Sequence, residues 1–74
     1  MYNLITIQTL NDNNVARSML AYESEEQAVG ALYTTMASGV ASSTVNRVVC
    51  GILSDDGIFS RLENYSKQEE SQNG

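Results

Sequence analysis

The sequence predicts an α+β fold of ββαββ order, a four-stranded and mainly antiparallel sheet with one helix packed on one face. Three observations lead there. Runs rich in Ile, Leu, Val and Thr alternate with Asn-, Asp- and Gly-containing turns. A helix-start signal stands at Ser24, between the second and third of those runs. The chain has 74 residues, enough for one helix on one small sheet and little more.

Each element has its own local reason. Tyr2 to Leu10 reads as the first strand. Asn11-Asp12-Asn13-Asn14 is a turn signal, because Asn and Asp tolerate left-handed backbone and bond their own main chain. Val15 to Glu23 returns as the second strand. With residues 11–14 as the loop, Leu10 opposes Val15. One face then carries Ile5, Ile7, Leu20 and Tyr22, and the other Leu4, Leu10, Val15 and Met19 beside Gln8 and Arg17.

Ser24-Glu25-Glu26-Gln27 fits a capping box, in which the Ser24 hydroxyl accepts the N–H of Gln27 and the Gln27 side chain reaches back. Glu25 and Glu26 lie where the helix dipole favours negative charge. Ala28, Val29, Leu32, Tyr33 and Met36 follow at helical spacing as the core stripe. Gly39 is read as the residue that ends the helix, near Ser38, with Val40 to Asn46 as connector or frayed turn.

Arg47 to Ser54 reads as a strand buried on much of both faces. Asp55-Asp56-Gly57 is a hairpin turn, and a three-residue loop sorts the apolar residues better than a two-residue one. In that register Val48, Cys50 and Ile52 share a face with Ile58 and Leu62, while Val49, Leu53 and Phe59 share the other with Arg61 and Glu63. The last strand ends near Tyr65. The domain is thus residues 1–65, and residues 66–74, which contain no apolar side chain, are expected to be a disordered polar tail.

Composition excludes several function classes. There is no histidine and one cysteine, so a Ser-His-Asp engine, a Cys/His zinc site and an internal disulfide are all out of reach. Four bases against nine acids, a net charge of −5, argue against a nucleic-acid binder. The acids are too dispersed for a DNA mimic. The N-terminus lacks a basic segment, and the uncharged stretch from Gln27 to Asn46 is too polar for a membrane span, so a cytoplasmic protein with Cys50 reduced is expected. Cys50 itself reads as a buried structural thiol. Asp55-Asp56-Gly57 lacks the remaining ligands of a calcium loop. No catalytic residue, metal site or cofactor is expected.

Charged residues make up only 18% of the chain, and the apolar surface is in surplus. A second sheet face exposed to water should alternate cleanly, yet Leu4, Leu10, Val15, Met19, Val49, Leu53 and Phe59 are all assigned to it. The outward helix face, Gly30, Thr34, Ala37, Ser38 and Ala41, is small and uncharged. Both suggest self-association, through the helix residues or through Leu53 and Phe59, with a dimer as the default. Burial by the tail and connector is the alternative. Arg17 and Arg61 fall on one face near Phe59 in this register, where two subunits could bind a nucleotide by an arginine fork and an aromatic face. The alternative is that both are solvated or paired across strands, for example with Glu63. Tyr22, Tyr33 and Tyr65 are core or rim residues, or line a pocket.

Ser24-Glu25-Glu26-Gln27-Ala28, Leu32-Tyr33, Met36-Ala37, Val48-Val49-Cys50, Asp56-Gly57 and Glu63 resemble a group of small ββαββ proteins of phages and mobile elements of Gram-positive bacteria. The resemblance covers about residues 1–65 and implies genomic company rather than a reaction. Small accessory proteins of that kind act by binding. Joined to the apolar surplus and to the lack of a general base distinguished by its setting, this gives the expectation of a non-catalytic, self-associating accessory binding protein in the host cell cytoplasm. Counter-defence is the role the resemblance favours, by blocking a host protein or sequestering a nucleotide signal between subunits. A structural or regulatory homo-oligomer with no ligand is the alternative, and an enzyme the third.

Overall fold

A computed structural model describes residues 1–67 as four antiparallel strands and one helix in ββαββ order. The elements are β1 (Tyr2–Leu10), β2 (Val15–Tyr22), α1 (Glu25–Ala41), β3 (Val45–Ser54) and β4 (Phe59–Ser66). The sheet order is β2-β1-β3-β4, so the two hairpins lie side by side with β1 and β3 at the centre. The chain leaves edge strand β2, crosses one face as α1 and returns on the far side of β1. Of the expected tail, Ser66 belongs to β4 and the Lys67 ammonium donates to the Ser42 carbonyl, while residues 68–74 lie outside the described residues.

The helix starts where its sequence dictates. Among the described residues one of the two expected capping-box bonds is made, that to Ser24 and not the return bond from the Gln27 side chain. Ser24 is extended and its hydroxyl accepts the Gln27 N–H at 3.2 Å, with Glu25 and Glu26 in the first turn. The helix does not stop at Gly39. It continues to Ala41, where Ser42 caps it by donating its N–H to the carbonyls of Ser38 and Gly39. Gly39 is small for a packing reason instead. A Cβ there would come 3.0 Å from Cβ and Cγ1 of Val48, so the glycine lets α1 lie close on β3. The connector 42–44 is tied to the first hairpin, since Asn11 donates to the carbonyls of Ser43 and Thr44.

Both hairpins use the same three-residue loop. Leu10 donates its N–H to the Asn14 carbonyl and Ser54 to that of Ile58, and the third loop residue is left-handed in each: Asn13 at φ 71° and Gly57 at φ 84°. The second loop is the one expected. The first is shorter by one residue, because Asn14 pairs with Leu10, and Thr9 rather than Leu10 opposes Val15. That single step reverses the expected sorting. Leu4 now shares a face with Leu20 and Tyr22, while Ile5 and Ile7 share the other with Met19, Val15 and Arg17.

A second correction arises in β4. Leu53 opposes Phe59 but Ile52 opposes Arg61, so Ser60 is an extra residue in a β-bulge. Beyond it Cys50 opposes Glu63 and Gly51 opposes Leu62. Arg61 and Glu63 are therefore on the helix side, and Leu62 joins Phe59 on the other.

The core lies between α1 and the two central strands. Leu4, Ala28, Leu32, Val45, Val48, Cys50 and Ile52 form it, with Tyr2, Leu10, Tyr22, Val29, Ala31, Met36 and Tyr65 packed at its margin. Leu4 and Leu10, expected on the second face, belong to this side. Of the expected helical stripe, Ala28 and Leu32 are buried, Val29 and Met36 are partly so, and Tyr33 is exposed. No helix among the described residues is long and apolar enough to cross a membrane.

Candidate functional site

The feature that fold leaves unexplained is the face of the sheet opposite α1. Strand register and the two-residue alternation place four rows of side chains on it. Across β2, β1, β3 and β4 the first row is Ala21, Asn3, Leu53 and Phe59. The second is Met19, Ile5, Gly51 and Leu62. The third is Arg17, Ile7, Val49 and Asn64, and the last Val15, Thr9, Arg47 and Ser66. Apolar residues thus fill the middle, and the two arginines stand towards one end.

Several of these residues are large and exposed. Met19 keeps 65% of its surface accessible, Leu62 63% and Phe59 55%. Isolated exposed apolar residues are ordinary, but a contiguous band is not. Gly51 builds part of the band. It is buried, and a Cβ on it would sit 3.1 Å from both Leu62 Cδ1 and Phe59 Cε1. Those two side chains therefore lean together over the glycine. The bulge at Ser60 brings them to the same face although they are three residues apart in sequence.

The predicted ligand residues do not converge. Arg17 is on the open face of edge strand β2, and Arg61 is on the helix side of the opposite edge strand, β4. Adjacent strands are spaced by about 4.8 Å, so three strand intervals and the thickness of the sheet separate them. Arg61 donates to the Tyr33 hydroxyl at 2.7 Å and stands 5.6 Å from the centre of that ring, a cation–π contact. The expected cluster of Arg17, Arg61 and Phe59 is thereby corrected: Phe59 shares a face with Arg17, at the other edge, and not with Arg61. The described residues enclose no pocket among Tyr22, Tyr33 and Tyr65 or elsewhere.

The other predicted interface residues are accessible. Gly30, Thr34, Ala37, Ser38 and Ala41 are all exposed on α1, and the Thr34 hydroxyl is bonded back to the Gly30 carbonyl at 3.0 Å. Leu53 is half-buried. Residues that sequence reasoning missed on the open face are Ile5, Ile7 and Leu62. Their signal was hydrophobicity alone, and the register decided their side.

Titratable groups are few. Cys50 is buried in the core with Thr6 Oγ1 3.7 Å from its sulfur; burial pushes the thiol up, and the Thr6 contact opposes this. A thiol-specific reagent should therefore react with native protein far more slowly than with protein in denaturant, and equal rates would show that the sulfur is accessible. Asp55 lies at the end of the open face. The Asn3 carboxamide donates to it at 3.1 Å and the Met1 amino group lies 3.2 Å away; together, Asn3 first, they hold its carboxyl below the usual range. Among the described residues no group of His, Cys, Asp and Glu is arranged to hold a metal ion.

No protein-family model matches this chain, and neither curated proteins nor solved structures provide a match.

Proposed function

We propose that this chain is a non-catalytic binding protein that works as a homo-oligomer, in its simplest form a dimer closed through the open face of the sheet. The observation that carries this reading is the contiguous apolar band of Met19, Ile5, Leu62, Phe59, Leu53, Ile7 and Val49 on a face that α1 does not cover. The tail is a poor cover for it, since residues 68–74 contain no apolar side chain. A second copy presents the same band and needs no other component.

The resemblance to small proteins of phages and mobile elements gives the setting: an accessory protein of the host cytoplasm, acting in counter-defence. Of its two forms, blocking a host protein is the one favoured here. Sequestering a nucleotide through Arg17 and Arg61 needs both guanidiniums in one site, and they lie on opposite faces of the sheet. A thermal shift with cyclic or ADP-ribose-type nucleotides would reverse that preference.

Light-scattering mass of three proteins tests the assembly. The wild type and Ala37→Glu, on the small helix face, should both run as dimers, and Phe59→Asp as a folded monomer by circular dichroism. A wild type that is monomeric, or a Phe59→Asp variant of unchanged mass, overturns the open-face dimer. Loss of the dimer in Ala37→Glu alone moves the interface to the helix.

A further inference from the structure

The open face is electrically polar along its strands, and this indicates how a second copy would lie on it. Arg17 and Arg47 stand in the two rows nearest the β1–β2 turn. Both are exposed, and among the described residues neither has a carboxylate partner. Asp12 lies at the same end, but its two carboxylate oxygens accept from the Asn14 backbone and side chain. The opposite end, where β1 begins, carries Glu23 after β2 and Asp55 and Asp56 in the β3–β4 turn, all exposed. Asp55 has the Met1 amino group and Asn3 as neighbours; Glu23 and Asp56 have no partner among the described residues.

Resting on the open-face dimer, we infer that the two copies pack with their strands running in opposite directions, about a two-fold axis lying in the interface perpendicular to the strands, so that the arginine end of each copy meets the acidic end of the other. This operation keeps each strand over its own counterpart and reverses its direction. Arg17 then approaches Glu23 of the other copy along β2, and Arg47 approaches Asp55 and Asp56 of the other copy along β3. An axis parallel to the strands does the reverse. It gathers both copies' arginines at one end and their acids at the other, and like charges in contact select against it. The sheets would sit about 10 Å apart, with strands roughly 30° from parallel, as in other face-packed sheets.

The size of the face suits this occupant. Four strands at about 4.8 Å and eight residues at about 3.4 Å give roughly 500 Å² in plan. Side-chain relief raises the accessible area towards the roughly 600–800 Å² per partner of small specific interfaces. The apolar centre supplies the attraction and the charged ends fix the direction.

A charge swap tests the orientation. Arg47→Glu and Asp56→Arg alter exposed residues, so both variants should fold. Each should raise the dimer dissociation constant about tenfold at low ionic strength, and less at high salt, because the groups are exposed and screened. The double variant restores opposite charges across the interface and should return to within about threefold of wild type. Additive losses in the double variant overturn the orientation, as do single variants without effect. If either occurs while Phe59→Asp still abolishes the dimer, the open-face interface stands and only the direction is wrong. If Phe59→Asp leaves the mass unchanged, the interface itself fails.

Discussion

Replacing Leu32 by alanine should cost about 2–5 kcal/mol, the range for a fully buried leucine whose cavity cannot collapse. The residue has no accessible surface and lies on the inner face of α1, against a core that includes Leu4, Val48, Cys50 and Ile52. A single core in a chain below about 80 residues rarely supplies more than about 3–5 kcal/mol, so the variant should be largely unfolded as a dilute monomer. A urea melt followed by circular dichroism measures this, with Leu20→Ala as control, since Leu20 is on the same side of the sheet but 57% exposed at the edge. If the open-face dimer forms, folding and association are linked, and the Leu32→Ala midpoint should rise with protein concentration by mass action. A Leu32→Ala protein within 1 kcal/mol of wild type would refute the core described here.

What could be read in the sequence was what is decided locally. Ser24 and the acids after it mark the helix start because a cap involves only neighbouring residues. Asp55-Asp56-Gly57 makes the expected loop because Gly57 alone must be left-handed. Register could not be read in the same way. In the first hairpin the difference between a loop of four and a loop of three lies in whether Asn14 bonds to Leu10. In the second, the turn was anticipated correctly and the face of Arg61 still was not, because the bulge at Ser60 intervenes. That bulge answers tertiary demands. It lets Phe59 and Leu62 share the recess over Gly51 and sends Arg61 to Tyr33. A strand has a period of two, so each one-residue difference exchanged faces. The surplus of apolar surface does not depend on register, since the exchange of faces puts Leu4 in the core and Ile5, Ile7 and Leu62 on the open face. Its presence was legible from composition, but its membership was not.

Gly39→Ala and Gly30→Ala should change stability in opposite directions. Both glycines are inside α1, and alanine is better there than glycine by about 0.8–1.0 kcal/mol in helix propensity. At Gly30 a new Cβ meets no atom within 4 Å, so the variant should gain about 0.5–1 kcal/mol. At Gly39 it meets Val48, which is fully buried on a central strand and stiff at χ1, so neither partner can turn aside. Overpacking of this kind costs about 1–3 kcal/mol, which matches or exceeds the propensity gain and leaves a net loss of up to about 2 kcal/mol. Thermal melts of both variants check the signs. Adding Val48→Ala to Gly39→Ala opens the space that the new methyl needs, so the double variant should lose less than the sum of the two single changes. The contrast separates two accounts of Gly39. A glycine that merely ends a helix would behave like Gly30 or be neutral. One that lets α1 approach β3 must be penalised when filled and relieved when Val48 is cut back. Two stabilised variants, or strictly additive losses at positions 39 and 48, would rule out the close approach of α1 to β3.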